Sequence, residues 1–466
     1  MTLIKSISGI RGTLGGKNGE TLSPLDIVRF SAAYGTWIRQ VAPTKKVILG
    51  RDARISGEML SSLVSSTLRA MGIDILDLGL STTPTVEIAV GLEKAGGGIM
   101  ISASHNPIQW NALKLLNHEG EFLSQEESQK VLDWADQGEF EFEEPKKIGH
   151  YQMDNSYLDK HIEMILNLAL TDLEAIQKRK FKVIVDAVNS TGGIAIPKLL
   201  AALGVEEVKE LYCEPNGLFP HNPEPLSENL TDIARELEKG GYDLGIVVDP
   251  DVDRLAFVCE DGSMFGEEYT LVAIADYVLK HQPGATVSNL SSTRALKDIT
   301  QKAGQIYEAS AVGEAHVVAK MKEISAVIGG EGNGGVIYPT LHYGRDALVG
   351  IALFLSHLAH FAKPVSQFKG SYPKYQISKN KISLTPDIDM DYVLNQIEEK
   401  YKNNPINRID GVKIEFEDSW AHLRKSNTEP IIRIYSEADS LTTADNIANK
   451  IIQDVKEILN NLDKPY

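Results

Sequence analysis

The stretch LGIVVDPDVDR, residues 244–254, decides the predicted fold, because an apolar run ends abruptly in alternating carboxylates. The five residues before Asp249 favour a buried β-strand. In an extended segment, side chains two residues apart point the same way, so Asp249, Asp251 and Asp253 converge, and Pro250 excludes a helix that would scatter them. Aligned carboxylates repel one another unless a cation offsets them, and an all-oxygen ligand set suits Mg²⁺. The stretch therefore predicts a strand that ends in a magnesium site.

Two other interpretations of this acidic stretch are open. A calcium-binding EF-hand loop also begins with D-x-D-x-D, and Glu260 falls at its twelfth position. However, Arg254 stands where that loop needs its turn glycine, and the flanks are strand-like rather than helical, so calcium is the less favoured interpretation. The other alternative is a solvated acidic turn that holds no ion.

The same pattern, a short β-branched run that ends in a polar turn, recurs along the chain. It is found at residues 46–49, 99–101 and 182–185, each followed by an amphipathic stretch, and such alternation predicts α/β units with largely parallel sheets. Because 466 residues exceed one hydrophobic core, we expect several domains. The predicted fold is three similar α/β domains with mostly parallel mixed sheets, at residues 1–150, 151–255 and 256–368, plus a smaller C-terminal α+β domain at 369–466.

Composition excludes several classes of protein. The hydrophobic fraction of 42% and charged fraction of 24% are those of a folded globular chain. A formal net charge of −17 without a basic stripe argues against nucleic-acid binding, although a pocket lined with arginine can still bind an anionic small molecule. No signal peptide and no apolar run of membrane-spanning length is evident, and the two cysteines show no metal-binding or disulfide spacing. We therefore expect a cytoplasmic protein with no membrane partner.

Three further segments carry candidate chemistry. ISASHNP, residues 101–107, places the Ser104 hydroxyl on an exposed turn after a buried strand, where it can carry a phosphate, and Lys114 follows closely enough to handle a proton. IGGEGNGG, residues 328–335, lets the backbone approach a ligand and offers the acceptors and donors of Glu331 and Asn333 to vicinal hydroxyls. RKSNTEP, residues 424–430, followed by Arg433, surrounds a phosphate with donors. Taken singly, each segment can also be an ordinary helix cap, hairpin or surface turn.

Together, these four segments resemble the motifs of the alpha-D-phosphohexomutase superfamily in order and spacing across almost the whole chain. The resemblance implies that Ser104 is the phosphoserine and, with Asp249, Asp251 and Asp253, a ligand of Mg²⁺. It implies catalytic contacts from His105, Lys114, Arg254, Arg11 and His316. It implies sugar and phosphate binding by Glu331, Asn333, Arg424, Ser426, Asn427, Thr428 and Arg433.

The sequence departs from the superfamily pattern at two positions. Ala112 replaces a turn glycine before Lys114, and Asn333 replaces the common serine of the sugar loop. Among the subfamilies, the chain is most similar to the bacterial phosphoglucosamine mutases, with the phosphomannomutase/phosphoglucomutases second. The resemblance implies a monomer or homodimer that interconverts glucosamine 6-phosphate and glucosamine 1-phosphate, or another hexose phosphate pair, through a hexose 1,6-bisphosphate that also activates it. A non-catalytic phosphosugar-binding regulator and a phosphatase are the alternatives from other classes.

Overall fold

The computed structural model describes residues 2–6, 9–17, 19–384, 388–425 and 431–460. Within these residues the chain forms four β-sheets, each associated with helices from the same part of the chain. The first three sheets contain both parallel and antiparallel pairs, and the fourth is antiparallel throughout. The predicted fold class, three α/β domains followed by a smaller domain of a different kind, is confirmed.

The first sheet has seven strands in the order β1-β2-β6-β5-β3-β4-β7. The strands are β1 (Ile4–Ser6), β2 (Gly9–Thr13), β3 (Lys46–Arg51), β4 (Asp74–Leu80), β5 (Gly97–Ile101), β6 (Trp110–Leu116) and β7 (Tyr151–Met153). The helices are α1 (Pro24–Val41), α2 (Gly57–Ala70), α3 (Thr83–Glu93) and α4 (Gln125–Gln137). Strand β5 runs parallel to β3 and antiparallel to β6, with Met100 opposite Lys114. This pairing returns Lys114 to the strand that leads into Ser104.

The second sheet has the order β11-β10-β8-β9, in which only β11 is antiparallel to its neighbour. Its elements are α5 (Tyr157–Leu166), α6 (Leu173–Arg179), β8 (Lys182–Asp186), α7 (Gly192–Ala202), β9 (Glu207–Leu211), α8 (Thr231–Glu238), β10 (Leu244–Val248) and β11 (Leu255–Cys259). The predicted strand before Asp249 is thus β10, and all five of its residues are buried. Because β11 begins at Leu255 and pairs with β10, this sheet continues past residue 255. The three predicted domain boundaries stay predictions.

The third and fourth sheets have the orders β13-β12-β14-β15 and β16-β20-β19-β18-β17. The third domain contains α9 (Glu267–His281), β12 (Thr286–Asn289), α10 (Ala295–Lys302), β13 (Tyr307–Ser310), α11 (Glu314–Glu323), β14 (Ile328–Glu331), β15 (Gly335–Ile337), α12 (Ala347–Phe361) and α13 (Val365–Lys369). The fourth contains β16 (Gln376–Ser383), α14 (Met390–Lys400), β17 (Ile406–Asn407), β18 (Val412–Glu415), β19 (Trp420–Lys425), β20 (Ile431–Ala438) and α15 (Leu441–Asn460). Among the described residues, no helix combines the length and apolar character required to cross a membrane.

The second and third domains share one hydrophobic core. Phe257 of β11 stacks on Phe354 of α12 with ring centroids 3.7 Å apart, and Phe265 meets Phe354 edge-on at 5.2 Å. Both domains contribute to the same cluster of buried side chains, whereas the fourth domain buries a separate cluster between its sheet and the helices α14 and α15. The predicted metal loop of the second domain and the glycine-rich loop of the third are therefore carried on a common packed interior.

Candidate active site

Ser104 lies immediately beyond β5, at the edge where the strand enters a tight turn. Its φ of +49° is in the left-handed region, which is uncommon for a residue with a side chain and is found where surrounding contacts impose it. Its hydroxyl donates a hydrogen bond of 2.6 Å to Oδ2 of Asp249, and its own backbone N–H donates to the Ser102 hydroxyl at 2.9 Å. The structure therefore brings the predicted phosphate carrier into direct contact with the predicted metal loop.

A buried arginine, Arg54, holds the Ser104 loop in place. Its five N–H groups all find acceptors: Nε donates to Asp52 Oδ2 at 3.1 Å, and the remaining four donate to loop carbonyls. These carbonyls belong to Ser104 and Asn106 at 2.6 Å, Pro107 at 2.7 Å and Trp110 at 3.0 Å. Arg54 is only 1% exposed, and of the four carbonyls that of Pro107 also accepts the Trp110 N–H at 3.0 Å. Arg54 thus sets the shape of the loop without being part of the predicted chemistry.

The three aspartates form the acidic centre that the sequence predicts. One carboxylate oxygen from each of Asp249, Asp251 and Asp253 lies within 4.8 Å of the others, and all three residues are fully buried. Oδ1 of Asp251 and Oδ1 of Asp253 accept no hydrogen bond. Buried carboxylate oxygens are costly to leave unpaired, and hard divalent cations prefer such ligands. The donor set therefore fits a divalent metal ion.

A positively charged side chain already contacts the Oδ2 atoms of two of these aspartates. Lys114 Nζ donates to Asp251 Oδ2 at 2.5 Å and to Asp253 Oδ2 at 2.9 Å. Burial by itself would lower the pKa of Lys114, but the charges of Asp251 and Asp253 raise it above its ordinary value. Burial, and then repulsion from Asp253 and Asp251, raises the pKa of Asp249 well above its usual range. Lys114 is therefore positively charged in this arrangement. Of the three aspartates, Asp249 is the one whose negative charge is least offset by a neighbouring cation.

Helix α3 joins the first domain to the metal loop from another side. The Thr83 N–H at its start donates to the Asp251 carbonyl at 2.9 Å, and the Thr83 hydroxyl donates to the Asp251 carboxylate. Together with the Ser104 and Lys114 contacts, this places three side chains of the first domain on the acidic centre of the second. The centre is therefore an interdomain structure.

Arg345, between β15 and α12, is the second large cation at the centre. Its guanidinium lies 2.7 Å from Asp253 Oδ2, 2.8 Å from Glu331 Oε2 and 3.0 Å from Glu314 Oε2. Burial opposes the charge of Arg345, but these three carboxylates raise its pKa well above the ordinary value. One side chain of the third domain thus links the metal loop to the predicted sugar loop.

The predicted sugar loop begins at the end of β14. Glu331 is 3% exposed, and its carboxylate accepts hydrogen bonds from Asn289 Nδ2 at 2.8 Å, the Gly313 N–H at 3.1 Å and Arg345. Asn333 is half-buried and accepts from the Gly335 N–H at 3.2 Å. Gly334 adopts φ +87°, and a Cβ there would lie 2.3 Å from the Leu255 carbonyl. This close approach holds the loop against the first residue of β11, next to the metal loop.

The other predicted catalytic residues are distributed around this centre. His105 Nδ1 lies 3.4 Å from Ser104 Oγ; burial first, and then the charges of Arg254 and Arg11, lowers its pKa well below the usual range, so the imidazole is neutral. The Arg254 backbone N–H donates to Asp249 Oδ1 at 3.2 Å. Burial, and then repulsion from Arg254 and Arg345, lowers the pKa of Arg11. His316 lies in the first turn of α11, two residues after Glu314.

The predicted phosphate loop belongs to the fourth domain and is described in part. Arg424 of β19 and Arg433 of β20 are directly opposite each other in the antiparallel register. Like charges at such positions repel one another, and Asp410, 3.4 Å from Arg424 Nε, offsets only part of this charge. Two facing guanidiniums are a suitable receptor for a phosphate dianion. Ser426, Asn427 and Thr428 lie outside the described residues.

Several groups in the site were not identified from the sequence. The sequence patterns assign no role to Arg54, Thr83, Glu314 or Arg345. The sequence gives little indication of a role for Arg345, because GRD at residues 344–346 is an ordinary turn sequence. Only the folded arrangement shows that this guanidinium meets three carboxylates from separate loops.

Family models for the phosphoglucomutases/phosphomannomutases match the chain in four consecutive parts. Alpha/beta/alpha domains I, II and III match residues 3–142, 159–262 and 266–375, and the C-terminal domain matches residues 386–453. The four matches follow the order of the four sheets.

Individual proteins match over nearly the full chain. A phosphoglucomutase/phosphomannomutase of Thermococcus kodakarensis is 35% identical over 437 residues, which is 93% of this chain and 94% of the relative. A probable phosphoglucosamine mutase of Methanopyrus kandleri is 31% identical over 455 residues, 96% of this chain and 97% of the relative. The X-ray structure of a phosphoglucomutase/phosphomannomutase family protein from Burkholderia thailandensis aligns with a TM-score of 0.83 at 27% identity, covering 97% of this chain and 98% of that one.

Proposed function

Because the chain belongs to the phosphoglucomutase/phosphomannomutase family, whose members are phosphohexomutases, we propose that it interconverts glucosamine 6-phosphate and glucosamine 1-phosphate through a phosphoserine at Ser104. The resemblance to the alpha-D-phosphohexomutase superfamily is thereby confirmed, and with it an enzyme that transfers phosphate within one sugar. The name of the Methanopyrus kandleri relative supports a hexosamine phosphate. The name of the Thermococcus kodakarensis relative supports glucose and mannose phosphates as the alternative substrates.

The observation that carries the proposal is the 2.6 Å hydrogen bond from Ser104 Oγ to Asp249. It joins a strained, nearly buried serine to three convergent carboxylates, which is the arrangement that phosphoryl transfer needs. Asp249, Asp251, Asp253 and the Ser104 phosphate would hold Mg²⁺, which when bound neutralises charge on the phosphoryl oxygens. The unpaired Oδ1 atoms of Asp251 and Asp253 support this assignment.

The chemical steps follow from the groups around Ser104. A sugar hydroxyl attacks the phosphorus of phosphorylated Ser104, the bond from phosphorus to Ser104 Oγ breaks, and a hexose 1,6-bisphosphate forms. The bisphosphate turns over in the site, and its other phosphate returns to Ser104, which regenerates the phosphoenzyme. The same bisphosphate, supplied from solution, would restore an enzyme that had lost its phosphate.

Protons must move in each transfer. Lys114 is held protonated by Asp251 and Asp253, so it is suited to deliver a proton to the departing Ser104 oxygen rather than to take one. Neutral His105, with Nδ1 at 3.4 Å from Ser104 Oγ, has a free basic nitrogen in one tautomer and is suited to accept the Ser104 proton when this hydroxyl attacks the bisphosphate in the return transfer. These assignments replace a single proton shuttle at Lys114 by two groups with opposite tasks.

The sugar and its second phosphate would be held by the third and fourth domains. Glu331 and Asn333 would read hydroxyl groups, and Arg424 and Arg433, with Ser426, Asn427 and Thr428, would bind the phosphate that is not reacting. Arg11, Arg254 and His316 would complete the lining of the cleft. A clamp that recognises only the phosphate lets the sugar bind in either direction, as a reaction at both ends requires.

The test combines assays with mass spectrometry. The purified protein is incubated with Mg²⁺, catalytic glucose 1,6-bisphosphate and, separately, the 6-phosphates of glucosamine, glucose and mannose, and both isomerisation and free phosphate are measured. We expect isomerisation to be fastest with glucosamine 6-phosphate, a phosphate on the peptide that carries Ser104, and loss of both in Ser104→Ala. Release of phosphate without isomerisation indicates a phosphatase. Neither activity, together with an unmodified Ser104, would refute the proposal.

A further inference from the structure

The backbone around Arg345 is held by several contacts, which fix the point from which its side chain projects. Its backbone N–H donates to Glu314 Oε1 at 2.9 Å, while its Nε lies 3.0 Å from the second oxygen of the same carboxylate. The next residue, Asp346, caps helix α12 by accepting the N–H groups of Leu348 and Val349. Asp346 is itself held by His161 at 2.9 Å. The guanidinium therefore projects from a rigid attachment rather than from a mobile loop.

The guanidinium occupies one oxygen of each of two carboxylates with different predicted tasks. It donates from NH2 to Asp253 Oδ2 at 2.7 Å and from NH1 to Glu331 Oε2 at 2.8 Å. Asp253 Oδ2 also accepts from Lys114, so Oδ1 of Asp253 is the oxygen that remains for an ion. Because the guanidinium is planar and its N–H groups keep fixed directions, the placement of Asp253 constrains the placement of Glu331.

The contact also crosses the boundary between two domains. Asp253 lies between β10 and β11 of the second sheet, whereas Glu331 ends a strand of the third sheet, and Glu314 starts the helix that contains His316. In the same region Leu255 N–H donates to the Gly334 carbonyl at 3.0 Å, which ties the two loops together through the backbone. Arg345 is the described side chain that contacts the metal loop, the Glu314 segment and the sugar loop at once.

From this geometry we propose that Arg345 is a positioning residue that couples the divalent ion to the sugar phosphate, so that each binds more tightly when the other is present. The inference rests on the proposed function, since it assumes that Asp253 binds the ion and Glu331 the sugar. An ion bound to Asp253 orients the Arg345 guanidinium, and the guanidinium orients Glu331. The metal loop and the sugar loop are therefore ordered together, and the conformational cost of ordering them is met once rather than twice. By linkage, the factor by which the sugar phosphate tightens ion binding equals the factor by which the ion tightens sugar binding.

The test measures this factor with Mn²⁺ as the ion. Mn²⁺ affinity of the full-length protein is determined by electron paramagnetic resonance with and without saturating glucosamine 6-phosphate, and a protein-free titration corrects for direct binding of Mn²⁺ to the sugar phosphate. We expect the sugar phosphate to tighten Mn²⁺ binding by at least about 5-fold in the wild type, the lower end of typical couplings. We expect the factor to fall close to 1 in Arg345→Gln and to an intermediate value in Arg345→Lys, which keeps the charge but loses the planar fork.

The control is Arg69→Gln, which removes a partly buried arginine of the first domain whose Nε donates to the Gly149 carbonyl at 3.0 Å. It should leave the coupling factor at the wild-type value, and thermal unfolding of each variant shows how much of any change in affinity reflects lost stability. A double variant, Arg345→Gln with Glu331→Gln, should lower the coupling factor no further than either single substitution does.

The outcomes separate this inference from the proposed function. If the wild type isomerises a hexose phosphate but its coupling factor is 1, or if Arg345→Gln weakens both ligands while keeping the wild-type factor, the positioning role is refuted and the mutase proposal stands. If the wild type isomerises none of the three hexose phosphates, the proposed function fails independently of Arg345. A factor that falls in Arg345→Gln but not in Arg69→Gln supports the coupling.

Discussion

Replacing Arg54 by lysine should damage both stability and catalysis, although the charge is kept. Arg54 meets five acceptors with five donors, one carboxylate and four carbonyls, at 2.6 to 3.1 Å. A lysine ammonium has three donors, so at least two of the five hydrogen bonds would be lost, although Asp52 Oδ2 and the Pro107 carbonyl also accept from the Ser102 hydroxyl and the Trp110 N–H. Each hydrogen bond contributes about 0.5–1.5 kcal/mol, so we expect the loss of two in Arg54→Lys to destabilise the first domain by about 1–3 kcal/mol.

The loss should also move Ser104, because two of the four carbonyls belong to Ser104 and Asn106. A displacement of about 1 Å at a reacting group can cost about 100-fold in rate, so we expect kcat to fall by about that factor while the KM for the sugar phosphate changes little. Urea unfolding followed by tryptophan fluorescence reports mainly on the first domain, since Trp37, Trp110 and Trp134 lie there and the fourth tryptophan, Trp420, lies in the last. Amide hydrogen exchange of residues 102–110 measures the loop directly.

The matched control is Arg51→Lys, three residues earlier, where the guanidinium makes a long hydrogen bond of 3.4 Å to the Asp52 carbonyl. This variant should lose less than about 1 kcal/mol, as expected for a half-buried group with one weak contact. The reasoning would be refuted if Arg54→Lys unfolded at the wild-type urea concentration with unchanged exchange in the loop. A loss of stability without faster exchange at residues 102–110 would equally contradict the assigned role.

Three further predictions concern charge. Asp249→Asn should reduce Mn²⁺ affinity and kcat by at least about 100-fold. The metal-free protein should keep or gain thermal stability, because repulsion within the acidic centre falls. A large drop in metal-free stability would contradict this. Arg433→Ala should raise the KM for the sugar phosphate by about 10-fold, since one charged hydrogen bond is worth about 1.5–3 kcal/mol. The melting temperature should not fall, because repulsion from the facing Arg424 is relieved. An unchanged KM would show that Arg433 does not bind the phosphate. Burial raises the pKa of Glu268 to about 8, so the folded state keeps a proton that the unfolded chain loses above about pH 4.5, and stability falls as pH rises between these values. In Glu268→Gln this fall, up to about 1.4 kcal/mol per pH unit, should be absent, which urea unfolding at pH 5 to 8 measures; parallel pH profiles for variant and wild type would contradict the assignment.

The elements that carry the site were predictable where local chemistry repeats along one segment. The alternating carboxylates of residues 249–253 converge only on an extended backbone, which Pro250 favours. Both the preceding strand and the convergence of these carboxylates could therefore be predicted from the sequence alone. Ser104 could be identified because a buried strand, β5, ends just before it. Lys114 could be placed near it because the chain between them is too short to lead far away.

The remaining parts of the site depend on contacts between distant segments. Arg345 is 92 residues from Asp253 in sequence, and nothing local distinguishes it from any arginine in a turn. Glu331 was predicted to address sugar hydroxyls, yet its carboxylate already accepts three protein hydrogen bonds, a fact that depends on Asn289 and Gly313 arriving from other strands and loops. Sequence patterns indicated which groups have suitable chemistry, whereas packing determines which of them are already paired.

The stacked rings of Phe257 and Phe354 bear on how this enzyme can be re-engineered. A chimera that takes its second domain from one relative and its third from another would cut through an interior that both halves fill, so mismatched aromatic volumes would leave cavities or clashes. The fourth domain, with its own separate hydrophobic cluster, can be exchanged without opening that interior. Exchange of the phosphate-binding part of the site between relatives is therefore most practicable at the junction that precedes β16.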